Sequence, residues 1–409
     1  MAVRYMGSKK ALAPVISHII SERHPKATVL DVFAGMCAVG TQVAARHRLF
    51  TNDIHAYAAT IASALFAGAA TGPTSIVAKD ELLRHFSENK KALEASVPGR
   101  LRLEDQLFGS NGGLLQWRKG LEFFESEVER PPGRKLSGLS NIADYKSNPK
   151  LFPYCLVTSY FAGAYFGLRQ AIEIDSLRYA IDHAPARRRD RYMAALIEAA
   201  SHCATAPGHF AQFLVPRDKK TLIYVRRIRA RSVLERFFDA LDSFPNPQCV
   251  SRRANRVFNA DATTLLYDEA TILSKEDLVI YADPPYSRAQ YSRYYHLLET
   301  MVLYDYPTCD CKGRYRANRV QTDFSLKSKV VDAMSSFAAA AAATGGRLYL
   351  SYPRNGLLAT IGADVRDVLY PHFTHVSVTA MRPLQHSTMG AAPGVASHRV
   401  WEDIFYASN

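Results

Sequence analysis

At 409 residues the chain is long enough for a catalytic domain and a second module. Its 51 Lys and Arg against 38 Asp and Glu leave a balance of +13, which favours a polyanionic partner over an acidic protein surface. Hydrophobic residues reach 48%, yet no uninterrupted apolar segment approaches about twenty residues and no apolar signal core opens the chain, which argues against a membrane span and leaves a cytoplasmic setting as the expectation.

In chain order, Tyr5-Met6-Gly7-Ser8-Lys9 precedes a helix expected from Ala11 to Ile20, with Pro14 in its first turn. Gly7 and Ser8 stand where backbone N–H groups could meet an anionic group such as a carboxylate. Thr28 to Phe33 is a buried-strand pattern that runs into Ala34-Gly35-Met36-Cys37 and a helix near Thr41. Strand, small-residue turn and helix form the first half of a nucleotide-binding βαβ unit, with Gly35 letting the backbone approach a ligand, although the spacing is not Gly-x-Gly-x-x-Gly. A second strand, Leu49 to Thr51, ends at Asn52-Asp53, and Asp53 falls about twenty residues beyond the turn, where an acidic residue would bind ribose hydroxyls.

Strand signals then thin out. Residues 80–95 and 114–129 read as amphipathic helices and 131–149 as a loop. Tyr160, Phe161, Tyr165 and Phe166 lie near Arg169, Gln170 and Arg178, and a packed helical core is preferred for these rings over stacking on bases. The runs 187–191 and 217–236, the second with Arg226, Arg227, Arg229, Arg231 and Arg236 beside an apolar stripe, are stronger electrostatic candidates. The α/β rhythm returns at Arg256 to Ala262, whose Asp261 supplies a carboxylate at a strand end.

Val279-Ile280-Tyr281-Ala282 is then a strand ending on Asp283-Pro284-Pro285-Tyr286. Open α/β sheets place their ligands at such a strand end. The prolines fix φ and donate no hydrogen bond, leaving carbonyls free to accept one beside a fixed carboxylate, while Tyr286 offers a flat face for a base. An exocyclic amino group, with two N–H donors, matches that acceptor pair. A helix near Ser292 to Val302, a basic loop holding Arg314, Arg316 and Arg319, a helix from Ser325 to Ala343 stopped at Gly345-Gly346, and strands at 347–351, 375–379 and 400–405 complete the chain. The six cysteines form no Cys-x-x-Cys pair and read as reduced structural thiols; no metal site is expected. A catalytic domain of residues 1–66 and 250–409, interrupted by a helical, basic insertion at 67–249, is the simplest organisation.

With Tyr5 to Lys9, Asp31 to Gly35 and Asp283 to Tyr286 in this order, the sequence resembles the Dam-like, alpha-group adenine-specific DNA methyltransferases. The resemblance covers residues 1–66 and 255–409, and the middle is matched by position only. It implies an α/β fold with a Rossmann-like, S-adenosylmethionine-dependent methyltransferase sheet and a largely helical inserted target-recognition region. It implies S-adenosylmethionine as cofactor, with Tyr5, Gly7, Ser8 and Lys9 near it, Asp31, Phe33 and Gly35 lining its pocket, Asp53 on its ribose, and Asp261 and Ala262 at its adenine. Asp283, also at the cofactor, and the Pro284 carbonyl are implied to accept hydrogen bonds from the target amino group, with Pro285 stiffening the motif and Tyr286 stacking on the flipped base. Arg293, Arg314, Arg316 and Arg319 are the candidates for contact with double-stranded DNA, and a cognate restriction endonuclease acting separately is a candidate partner. The Met36-Cys37 pair departs from the pattern, because a second glycine is expected after Gly35.

Several readings stay open from the sequence. Methylation of cytosine at N4 uses an equivalent amino group, RNA offers the same phosphates, and a DNA-binding module with a vestigial methylase core would share the fold. A nicotinamide-dependent dehydrogenase shares the first βα turn but leaves Asp-Pro-Pro-Tyr unexplained.

Overall fold

The computed structural model describes residues 9–67, 76–108, 113–119, 142–244, 254–310, 312–380, 384–386 and 398–409. Contacts divide the chain into two compact units. One comprises Tyr5–Thr71, Pro245–Ser292 and Val320–Asn409; the other comprises Met1–Arg4, Gly72–Phe244 and Arg293–Arg319.

The first unit is mixed α/β, built on a seven-stranded sheet. Its strands are β1 (Thr28–Asp31), β2 (Arg48–Asn52), β3 (Arg256–Phe258), β4 (Leu278–Ala282), β5 (Arg347–Pro353), β6 (His375–Ala380) and β7 (Glu402–Ser408). They lie in the order β3-β2-β1-β4-β5-β7-β6. β7 runs antiparallel to both neighbours, and every other pairing is parallel. Every residue of β1 and of β4 is buried, as in strands covered on both faces, and β4 accordingly reads as a continuous apolar run. From β1 the chain steps outward to β2 and β3, and from β4 to β5 on the other side. The carboxyl ends of β1 and β4 therefore flank the point where strand order reverses, the place such sheets leave open to ligands.

Helix Val330–Ala343 sets Met334, Phe337, Ala338 and Ala341 against a core that includes Ile280, Leu348 and Leu350. Burying each such large side chain contributes roughly 1.5–3 kcal/mol. The helix begins at Val330 rather than Ser325, because Asp323–Ser325 forms a separate 3-10 turn, and Gly345 at φ 70° supplies the left-handed residue that ends it. The helix expected from Ser292 is broken at Tyr295 into Tyr291–Tyr294 and His296–Leu303.

The second unit is largely helical. Its helix Leu168–His183 is buried along most of its length, and Asp175 on it accepts hydrogen bonds from the Val157 and Thr158 amides (2.9 and 2.7 Å) and from the Tyr304 hydroxyl (2.6 Å). Burial pushes the Asp175 carboxyl up to about 6 against those three donors. Tyr160, Phe161, Tyr165 and Phe166 are all core residues. Residues 142–147 form a helix inside the stretch read as a loop. Among the described residues no helix is long and apolar enough to cross a membrane.

Candidate active site

The carboxyl ends of the parallel strands open into a cleft with about 1030 Å³ of empty space, counting its mouth. Asp31 at the end of β1 and Gly35 after it, Asp53 after β2, Asp261 after β3, and Asp283 with Tyr286 after β4 all line it. Lys9, Phe33, Ala262, Pro284 and Pro285 line it too, so the sheet edge brings together every predicted residue of the catalytic motif and of the cofactor set that the structure describes. Tyr5, Gly7 and Ser8 lie outside the described residues.

The turn after β1 is pinned by carboxylate chemistry. Asp53 accepts the Gly35 amide at 2.8 Å through one oxygen and the His55 amide at 2.9 Å through the other. Gly35 adopts φ 49° and Cys37, two residues later, φ 58°. The position where the family pattern expects a second glycine thus keeps a glycine-like backbone with a side chain on it. That conformation costs an L residue about 1–2 kcal/mol. The Cys37 thiol is fully buried and its pKa raised by burial and by Asp31 and Asp53, so it is packed and not nucleophilic.

Asn52, a residue the sequence reading passed over, is buried at the end of β2. Its amide donates to the Val32 and Ala260 carbonyls (3.1 and 3.0 Å), and its side-chain oxygen accepts from the Ala260 amide at 3.0 Å. One side chain therefore ties together the loops after β1, β2 and β3. The signal was there, since a buried amide beside a site carboxylate at a strand end has few purely apolar explanations. Asp261 caps the helix Ala262–Asp268, accepting from Thr263 and Thr264 through Oδ1 (3.0 and 3.1 Å). Its second oxygen remains available at the cleft.

Charge is concentrated at the β4 end. The Lys9 ammonium, 5% exposed, lies 2.9 Å from Asp283 Oδ1 and 2.5 Å from Glu402 Oε1. Its Nζ also sits 5.7 Å from the centre of the Tyr286 ring. Burial alone would lower Lys9, but Asp283 and Glu402 outweigh it and hold the amine above its ordinary value. Burial pushes Asp283 up to about 6, with Lys9 opposing and Glu402 adding to the rise. Asp31 is pushed up to about 8, first by burial and then by Asp283 and Asp53. Its Oδ1 is buried with no hydrogen-bond partner among the described residues. The wall opposite is aromatic, with Phe33 edge-on to Phe324 at 5.4 Å. Among the described residues no three metal-ligating side chains come together.

The four arginines proposed for DNA belong to the helical unit. Arg316 makes a two-pronged pair with Asp305 (2.7 and 2.6 Å), and buried Arg314 donates to the Tyr160 carbonyl. Arg293 and Arg319 stand over the Tyr315 ring at 5.2 and 5.8 Å.

Comparison with known proteins agrees with this cleft. The Type II methyltransferase M.FokI of Planomicrobium okeanokoites is 33% identical over 118 residues, 28% of this chain and 14% of that protein. Modification methylase LlaI of Lactococcus lactis subsp. lactis is 23% identical over 334 residues, 80% of this chain and 42% of that protein. Modification methylase StsI of Streptococcus sanguinis is 24% identical over 217 residues, 52% of this chain and 29% of that protein. In each case the match spans less than half of the relative's length. The family model described as D12 class N6 adenine-specific DNA methyltransferase matches residues 5–95 and 231–350, about half of the chain and most of the cleft, and the chain belongs to that family.

Proposed function

We propose that the chain is a sequence-specific DNA methyltransferase that moves a methyl group from S-adenosylmethionine to the N6 amino group of an adenine flipped out of the duplex, in restriction-modification or genome marking. The observation that carries this is Asp283-Pro284-Pro285-Tyr286 at the carboxyl end of β4, on one cleft with Asp31, Gly35, Asp53 and Asp261. The sheet order, with an antiparallel β7 slotted beside β5, supports reading the unit as a Rossmann-like methyltransferase sheet, and the helical unit as the target-recognition region.

The donor set suits S-adenosylmethionine. The unpartnered Asp31 Oδ1 suits the ammonium of the amino-acid end, where Lys9 and the preceding Tyr5, Gly7 and Ser8 also belong by this reading. Asp53 suits the ribose hydroxyls, and Asp261 with Ala262 the adenine edge. When bound, S-adenosylmethionine supplies a methyl group made electrophilic by its sulfonium. The chain's part is alignment and polarisation. Asp283 accepts one N–H of the target amino group and the Pro284 carbonyl the other, which draws the nitrogen lone pair out of ring conjugation and stabilises the charge developing there. Two fixed φ angles keep this acceptor pair from rotating away. Tyr286 holds the base plane, and its hydroxyl, pushed up to about 12 chiefly by burial, stays neutral.

Flipping costs a few kcal/mol, which phosphate contacts of the basic helical unit offset. Its helix Lys219–Arg229 exposes Lys219, Lys220, Ile223, Tyr224 and Arg227, and with Arg293 and Arg319 forms the proposed DNA-facing set. The relatives' names, two modification methylases and a Type II methyltransferase, support a cognate endonuclease as partner. Incubation with labelled S-adenosylmethionine and duplex DNA, followed by digestion to nucleosides, should place label in N6-methyladenine. Label found only in N4-methylcytosine, or only with RNA, sinks this reading.

A further inference from the structure

Glu402 is the first residue of β7, lies beyond the segments matched to the family, and is 1% exposed. A carboxylate so placed is expensive to bury without a strong reason. Its surroundings are specific. Ser351 on the neighbouring β5 donates its hydroxyl to Oε1, and the Lys9 ammonium reaches the same oxygen at 2.5 Å while reaching Asp283 at 2.9 Å. One buried cation is thus shared between two carboxylates, which leaves an excess negative charge beside Asp283. Packing alone does not need this arrangement, since an apolar side chain at the head of β7 would leave Lys9 and Asp283 as a neutral pair.

We infer that Glu402 is a positioning residue for Asp283: it draws the Lys9 ammonium partly away, so that the motif carboxylate keeps the proton affinity of a strong hydrogen-bond acceptor. The inference rests on the methyl-transfer reading for its purpose, but its physical content is a coupling between two side chains. Among the described residues, Lys9 from the turn before the first helix, Asp31 from β1, Tyr281 from β4, Tyr286 from the motif and Glu402 from β7 are the ionisable groups around Asp283. Of these, Lys9 pulls the Asp283 proton off and Glu402 holds it on. With Glu402 neutral, Lys9 passes wholly to Asp283, which becomes a weaker base and a weaker acceptor.

The test is the ionisation of Asp283 in the full chain carrying ¹³C-carboxyl aspartate, followed by NMR, with Asp283→Asn identifying the resonance. Glu402→Gln should lower the Asp283 titration point by about one pH unit or more. Glu402→Asp, which keeps the charge but retreats from Lys9, should lower it by less. Asp283 titrating within about 0.2 units of the unsubstituted chain, in whichever variant folds, overturns the inference. In methyl-transfer assays Glu402→Gln should cut kcat to below about one-third and move the acid limb of its pH profile downward, with KM for the methyl donor within about twofold. Equal loss with an unmoved limb assigns Glu402 a merely structural role and also overturns it. Absence of transfer by the unsubstituted chain counts against the methyl-transfer reading alone, because the NMR titration decides the coupling without it.

Discussion

Asp283 is a pure and strong hydrogen-bond acceptor only when ionised, and its carboxyl is held up to about 6 by burial. The sign follows directly. Below that value the group is protonated and becomes a donor, so transfer should fall away as pH drops through about 6 and be level above it, as a kcat profile would show. Asp283→Asn should lose about 10²–10³ in kcat, the scale found when one preorganised polar group is removed, while the melting temperature changes little because Lys9 retains Glu402. Asp31 gives the opposite balance. Its folded pKa, pushed up to about 8, means that its ionised form opposes folding at higher pH, a penalty that disappears as the group takes up a proton on acidification. Asp31→Asn should therefore stabilise the fold at pH 8.5, by about 1–2 kcal/mol, while weakening binding of the methyl donor at least tenfold. Denaturant melts and calorimetry with S-adenosylmethionine measure the two arms.

At the scale of elements, β4 was legible because a strand buried on both faces is apolar along its length and β1 because its Val29-Leu30 centre continues into Val32-Phe33, and Asp31 and Asp283 were legible as carboxylates at the ends of those strands. Glu402 was not, since its partner Lys9 lies near the other end of the chain and no local spacing links them. Arg314 and Arg316 show the same gap. A run of exposed-looking basic residues became a buried donor to Tyr160 and a pair with Asp305, because partners are assigned by tertiary folding and not by composition. The turn at Cys37 allows a sharper test, because β-branching is poorly tolerated at φ 58°. Cys37→Val should destabilise the unit by about 2 kcal/mol or more, whereas Cys37→Ser should cost less; urea melts compare them. The helix Lys219–Arg229 turns Leu222, Val225 and Ile228 inward, buries the Arg229 guanidinium against the Gly163 and Ala164 carbonyls, and leaves Lys219, Lys220 and Arg227 exposed. Replacing Lys219, Lys220 and Arg227 together by Ala should leave stability unchanged and weaken binding to all DNA sequences alike. The slope of log K against log salt should fall by up to about 3, measurable by fluorescence anisotropy at several salt concentrations.

For the whole molecule, the net charge of +13 favours a polyanionic partner of the kind proposed but does not say which surface would meet it. Each compact unit is assembled from three separate segments, an arrangement no linker composition announces. Arg293–Arg319 joins the helical unit although it directly follows the catalytic motif and its loop, as the bond from Tyr304 to Asp175 shows. A chain stopped after Phe373 would lose β6 and β7 and leave β5, six of whose seven residues are buried, as an open edge. That product should be aggregated, and a monodisperse species in size-exclusion chromatography would contradict the role given to β7.

β7 lies between β5 and β6, both made before it, so a growing polypeptide cannot finish its sheet in the order of synthesis. The motif, the glycine turn and the basic helices all emerge earlier, yet Lys9 has only one of its two carboxylates until Glu402 arrives. A copy cut before β7 therefore holds the motif, the glycine turn and the basic helices but lacks the strand that completes the charge cluster behind Asp283.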